Sequence, residues 1–186
     1  PQVAKWLGIR QKSIDVPGLI QLLLKADVDL LWNGGIGTYV KATSETNENA
    51  GDRANDSVRI DGTELRAKVV GEGGNLGMTQ LGRIEYSSCG GRLNTDAIDN
   101  SAGVDSSDHE VNLKILLQVL RHEGLLKTAE EGYHLLEEME ETVCQDVLAN
   151  NYTQTLSISL DEIRCRVDVE PFLELTDRLG RSGLLD

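Results

Sequence analysis

Short apolar runs in this chain stop abruptly at clusters of glycine and small amides. Val28-Asp29-Leu30-Leu31-Trp32 meets Asn33-Gly34-Gly35-Ile36-Gly37, and Lys68-Val69-Val70 meets Gly71-Glu72-Gly73-Gly74-Asn75-Leu76-Gly77-Met78-Thr79. A further segment of the same texture is Asp96-Ala97-Ile98-Asp99-Asn100-Ser101-Ala102-Gly103-Val104. A β-prone stretch that ends in glycines and an amide is how an open α/β sheet forms a ligand crevice at its strand ends. One such loop is an ordinary tight turn about as often as not; three in succession favour a shared crevice.

Composition narrows what that crevice holds. The 186 residues suggest one domain, or one domain with an appendage. With 39% hydrophobic residues but only 4% aromatics, Leu, Val and Ile must fill the interior, which suits an α/β core. A net charge of −13 argues against a nucleic-acid partner, because phosphate binding needs clustered Lys and Arg. No apolar run reaches the roughly 20 residues of a membrane span, and no basic-then-apolar leader opens the chain, so no membrane partner is expected. Cys89, Cys144 and Cys165 are odd in number and lack metal or disulfide spacing, which fits a reducing cytoplasm. The chain opens on Pro1 and reads as an excerpt of a longer polypeptide.

Asp15 is a good N-cap, with Pro17 in the first turn and Leu19, Ile20, Leu22, Leu23 and Leu24 on the apolar face of a short helix. Residues 41–61 are polar and predict an exposed connection with a helical turn around Arg53 to Ser57. Ala67 to Gly71 predicts a buried strand, and a third strand falls at Arg83 to Tyr86 or at Leu93 to Ile98. Ser107 with Glu110, and Thr128 with Glu131, form capping boxes ahead of two helices. A shorter helix is expected after Ser159, and a last one around Phe172 to Leu179. The division this implies is an α/β unit over residues 1–106 and a helical C-terminal segment over 107–186.

The chemistry legible in the residues is limited. Gly34-Gly35-Ile36-Gly37 lacks the third glycine of GxGxxG, and no GxxxxGK[ST] is present. Asn75 and Asn100 are amides suited to a carboxamide or a ribose hydroxyl, or to capping turns. Glu72 reads as a solvated turn residue, and Asp96 and Asp99 as loop or N-cap groups. His109, His122 and His134 lack metal spacing, so no metal is expected, and Cys89 is a buried or incidental thiol.

Longer strings carry a resemblance. Asp29 to Lys41, Gly51 to Asp56, Gly71 to Gly77 and Asn94 to Val104 closely resemble the large bacterial NAD-dependent glutamate dehydrogenases, and Asn150-Asn151-Tyr152 with Gln154-Thr155-Leu156 is similar to that family's tail. The resemblance implies the distal half of a Rossmann-like cofactor domain followed by an α-helical segment. It implies NAD as cofactor and oxidation of glutamate to 2-oxoglutarate and ammonia. On it, Gly73, Gly74, Asn75 and Asn100 approach the nicotinamide, Gly34 and Gly35 lie beneath the cofactor, and Ser107 touches the substrate carboxylate. Gly74 stands where alanine is usual, and Thr38 where an amide is usual. The catalytic lysine and aspartate of the family lie upstream, so the chain itself holds no catalytic residue and is expected to be inactive. Its cut sheet is expected to self-associate. Two other readings stand beside this one: a catalytically silent nucleotide-binding or regulatory module, and a different amino-acid dehydrogenase.

Overall fold

The computed structural model describes residues 5–8 and 13–185. Helix α1 (Val16–Leu24) starts where Asp15 caps it, its carboxylate accepting the Gly18 N–H at 3.2 Å. Strand β1 (Leu30–Asn33) follows. The polar connection then contains more order than its composition suggests: strand β2 (Val40–Lys41), helix α2 (Asn47–Ala50), a 3₁₀ turn at Arg53–Asn55, and strand β3 (Ile60–Asp61), parallel to β2. Strands of two residues carry no readable period, which is why the sequence shows only a connection there.

One buried cation organises that connection. Arg59 donates from Nε to the Thr38 carbonyl at 2.8 Å, from Nη1 to Asn47 Oδ1 at 2.9 Å and Asp56 Oδ1 at 2.6 Å, and from Nη2 to the Asp52 carbonyl. Four acceptors spread over 19 residues are thereby tied to a single guanidinium, whose five rigid donors suit the task.

Strand β4 (Val69–Glu72) pairs in parallel with β1, Leu31 opposite Val70, and with strand β5 (Arg92–Leu93), so the sheet order is β1-β4-β5. Between β4 and β5 lies helix α3 (Gln80–Ser88), capped by Thr79, whose hydroxyl accepts the Gly82 N–H at 3.0 Å. The strand considered at Arg83 to Tyr86 is therefore helix: Gly82, Arg83 and Tyr86 are its buried face, at helical spacing. The alternative segment is a strand only at its start, since Asp96–Asp99 forms the single-turn helix α4.

The core comprises Val40, Ile60, Leu65, Ala67, Val70, Met78 and Tyr86, with Leu24, Val28, Leu31, Tyr39 and Leu93 packed against it. Each fully buried large side chain contributes roughly 1.5–3 kcal/mol, and the Tyr86 hydroxyl is satisfied by donating to the Ala67 carbonyl at 2.7 Å. The opposite sheet face is uncovered among the described residues: Leu30 is 56%, Trp32 58% and Val69 39% exposed. A parallel sheet is ordinarily covered on both faces.

The C-terminal part is helical, as its capping signals suggest, but its boundaries differ. Helix α5 runs continuously over Ser101–His122, so position 107 and the expected capping box at Ser107 and Glu110 lie inside it. No residue between Gly103 and Ser106 fixes a breaking geometry, and extending a helix costs less than nucleating another. Helix α6 (Ala129–Val167) does begin at the Thr128 capping box, with the Glu131 N–H donating to Thr128 Oγ at 3.2 Å. It passes through Ser159 without a break. The Thr155 and Ser159 hydroxyls donate back to the carbonyls of Asn151 and Thr155 at 3.0 and 2.8 Å, which satisfies them within the helix. Helix α7 (Glu170–Arg181) ends the fold, followed by Gly183 at φ +68°. The result is an α/β unit with parallel strands and a helical extension.

Candidate functional site

Parallel strands point their carboxyl ends to one edge, and here the three loops that leave β1, β4 and β5 are tied together there. The first bond lies within the β1 loop, where the Gly35 N–H donates to Asn33 Oδ1 at 3.3 Å. Next, that loop joins the β4 loop: Thr38 Oγ donates to the Leu76 carbonyl at 2.8 Å and the Tyr39 N–H to the Gly77 carbonyl at 2.9 Å. Gly74 lies directly on Gly35, where a Cβ would collide with the Gly35 carbonyl oxygen. The Trp32 indole covers Gly71 and Gly73, a Cβ on Gly71 falling 2.5 Å from its Cε3. Glycine at 71 and 73 makes room for the Trp32 side chain, and at 74 for the Gly35 backbone, so close approach rather than φ explains all three.

The β4 loop is joined to α4 by carboxylates. Asp99 Oδ2 accepts the Glu72 N–H and Asp96 Oδ2 the Leu76 N–H, both at 2.9 Å. Beneath them lies an ion cluster. Arg83 donates from Nε to Glu72 Oε1 at 2.7 Å, and from Nη2 to Glu72 Oε2 and Asp96 Oδ1 at 2.9 Å each. Glu72 is fully buried, so it is not the solvated turn residue its position in a glycine loop suggests. The Glu72 carboxylate, hydrogen-bonded to Arg83, raises the Arg83 pKa against the opposing cost of burial. Glu72 and Arg83 are eleven residues apart, on a strand end and a helix, and no local pattern links them.

The two amides meet as well. Asn100 Nδ2 donates to Asn75 Oδ1 at 2.7 Å. Among the described residues, Asn75 Nδ2 and Asn100 Oδ1 have no hydrogen-bond partner, so the pair leaves one donor and one acceptor unused. Asn75 is exposed and Asn100 half-buried. Asn151, on α6, anchors this corner by donating from Nδ2 to the Ile98 carbonyl at 2.7 Å and to Ser101 Oγ at 3.1 Å. Beside the loops is a largely apolar cavity of about 250 Å³, lined by Leu31, Asn33, Tyr39, Glu72, Gly77 and Met78 among others.

The structure therefore brings Gly34, Gly35, Gly73, Gly74, Asn75 and Asn100 to one edge. Gly34 and Gly35 are exposed and Gly74 is buried. Ser107 is exposed on the second turn of α5 and does not occupy a helix N-terminus, so no unpaired helix-end N–H groups accompany its hydroxyl. Thr38 is buried with its hydroxyl engaged by Leu76. Cys89 is exposed, as are Cys144 and Cys165. Among the described residues no cluster of His, Cys, Asp and Glu has metal-binding geometry, and no helix is long and apolar enough to cross a membrane.

Comparison with known proteins adds the lineage. Residues 1–161 match the family described as bacterial NAD-glutamate dehydrogenase, catalytic domain. The chain is 51% identical over all 186 residues to the NAD-specific glutamate dehydrogenase of Pseudomonas aeruginosa, covering 11% of it, and 47% identical over the same span to that of Halomonas elongata, covering 12%. The NAD-specific glutamate dehydrogenase of Mycobacterium tuberculosis is 60% identical over 138 residues, 74% of this chain and 8% of the relative. The chain thus spans about a tenth of the length of these relatives. With 161 of its residues matched by the family and 47–51% identity along its whole length, the chain belongs to the bacterial NAD-glutamate dehydrogenase catalytic domain family.

Proposed function

We propose that this chain supplies the distal half of a Rossmann-like NAD site in an enzyme that oxidises L-glutamate to 2-oxoglutarate and ammonia. The observation that carries the reading is the Asn75–Asn100 pair at the carboxyl edge of the sheet. Its free donor and acceptor are the complement of a primary carboxamide, the group that projects from a nicotinamide ring. The electrostatics favour the same end of the cofactor. Two carboxylates, Glu72 and Asp96, hold the Arg83 guanidinium, and a third, Asp99, accepts the Glu72 N–H, leaving the cluster net negative. That field repels a pyrophosphate and attracts the cationic ring of the oxidised cofactor.

Gly34 and Gly35 let the cofactor approach exposed backbone, Gly73 and Gly74 seat the β4 loop against Trp32 and Gly35 beneath it, and Asn75 and Asn100 orient its carboxamide. NAD, when bound, supplies the hydride acceptor. Ser107 is assigned to the substrate carboxylate on the strength of the family resemblance. Hydride transfer requires near-attack geometry and acid–base help, and none of the six cofactor residues nor Ser107 supplies a proton-handling group near neutral pH.

The test is a titration of the 186-residue chain with NAD, followed on the nicotinamide proton resonances. Line broadening of those protons that Asn100→Ala weakens about tenfold is expected, together with no glutamate-dependent NADH formation. Absence of any response at millimolar NAD would refute the cofactor assignment, and turnover in a preparation free of other dehydrogenases would refute the inactive fragment.

A further inference from the structure

Leu76 is the one residue other than glycine with positive φ among the described residues, at +52°. Its side chain is 62% exposed, so burial does not compensate for this conformation. What holds it is polar, and it acts on both sides of the residue. The N–H donates to Asp96 Oδ2 at 2.9 Å and the carbonyl accepts from Thr38 Oγ at 2.8 Å. The Asp96 carboxylate is itself fixed, because its second oxygen accepts from Arg83 Nη2 at 2.9 Å, and Arg83 is locked by its two contacts to Glu72. The residue immediately before Leu76 is Asn75, whose amide meets Asn100.

We infer that Asp96 is a positioning residue: it keeps Leu76 in the left-handed region and thereby holds Asn75 facing Asn100. The role rests on the reading of that amide pair as a nicotinamide contact. Asparagine is the informative replacement, since it keeps the volume and leaves no cavity. One oxygen cannot serve both partners. If the amide oxygen accepts from Leu76, the NH₂ faces Arg83, donor against donor; if it is flipped, the NH₂ faces the Leu76 N–H. Glycine at position 76 takes the same φ without steric cost, so it removes the need for the clamp.

The experiment compares the complete 186-residue chain with Asp96→Asn, Leu76→Gly and the double variant. NMR follows amide exchange at position 76 and the Asn100 side-chain resonances, neither of which requires a ligand. NAD affinity and the thermal midpoint are measured in parallel. Asp96→Asn is expected to speed exchange at position 76 about tenfold, to shift the Asn100 NH₂ resonances and to weaken NAD about tenfold. The double variant is expected to regain the Asn100 resonances and the affinity while its midpoint stays low, because Arg83 still lacks one of its two carboxylate partners and keeps only Glu72. Asn100 resonances and affinity untouched by Asp96→Asn, with only the midpoint lowered, would overturn the inference. Failure of the nicotinamide reading looks different: the unaltered chain then binds no NAD, while exchange at position 76 and the Asn100 resonances still decide the clamp.

Discussion

Arg83 and Glu72 form the most heavily buried ion pair among the described residues, with 9% and 0% of their side chains exposed. Replacing Glu72 removes both of the carboxylate oxygens that bind the buried guanidinium from β4 and leaves it only the partly exposed Asp96. Glu72→Gln is therefore expected to cost about 1–3 kcal/mol, read as a lower urea midpoint. An unchanged midpoint would mean that water enters the cluster. Glycine 74 gives a second expectation. A Cβ there strikes the Gly35 backbone, which cannot rotate away as a side chain would, so Gly74→Ala is expected to cost about 1–3 kcal/mol and to displace the 34–37 loop. Asp52 gives a third. The Thr38 N–H at 2.8 Å and the Asn55 amide at 2.7 Å hold its carboxyl below the usual aspartate value. A depressed folded pKa contributes stability that is complete above about pH 4, the ordinary aspartate value, and fades as pH falls through the lower folded value. Asp52→Asn should accordingly lower stability at neutral pH and flatten the acid limb of a stability–pH curve; a parallel curve would contradict the assignment.

Among the elements, those with local signals are the ones legible in the sequence. Asp15 ahead of Val16–Leu24 and Thr128 ahead of Ala129–Val167 are caps whose partners lie three residues away, and both occur. The meeting of the β1, β4 and β5 loops is legible for a related reason, since parallel strands share a carboxyl edge whatever their exact register. Signals that depend on competition were not decidable. Ser107 and Ser159 carry the same spacing as Thr128, but no breaker precedes them and the surrounding helix simply continues. Arg59 and Arg83 were illegible for the opposite reason: each gathers acceptors from separate elements, and the sequence holds no trace of which oxygens will converge on a given guanidinium. At the start of α6, Thr128→Ala is expected to cost about 1 kcal/mol, with fraying detected as faster amide exchange at Glu131.

On the scale of the whole molecule, the described residues cover the sheet on one side only. Leu31 and Val70 face a packed core, whereas Leu30, Trp32 and Val69 face outward on the other side, and β1 and β5 are the outer strands of the sheet order. An exposed apolar face beside unpaired strand edges is a template for association. The net charge of −13 opposes it, but that repulsion is screened within roughly 8 Å at physiological ionic strength, while apolar burial is not. The chain is therefore expected to self-associate through this face, and more strongly as salt rises. Light scattering across a concentration series should give masses above the 20.3 kDa of one chain. Leu30→Lys should return the mass toward that value, because a charge at the centre of the contact must be desolvated for it to form. A monomer at high concentration and high salt would show that the outward face is compatible with water as it stands, and Leu30→Lys would then change nothing.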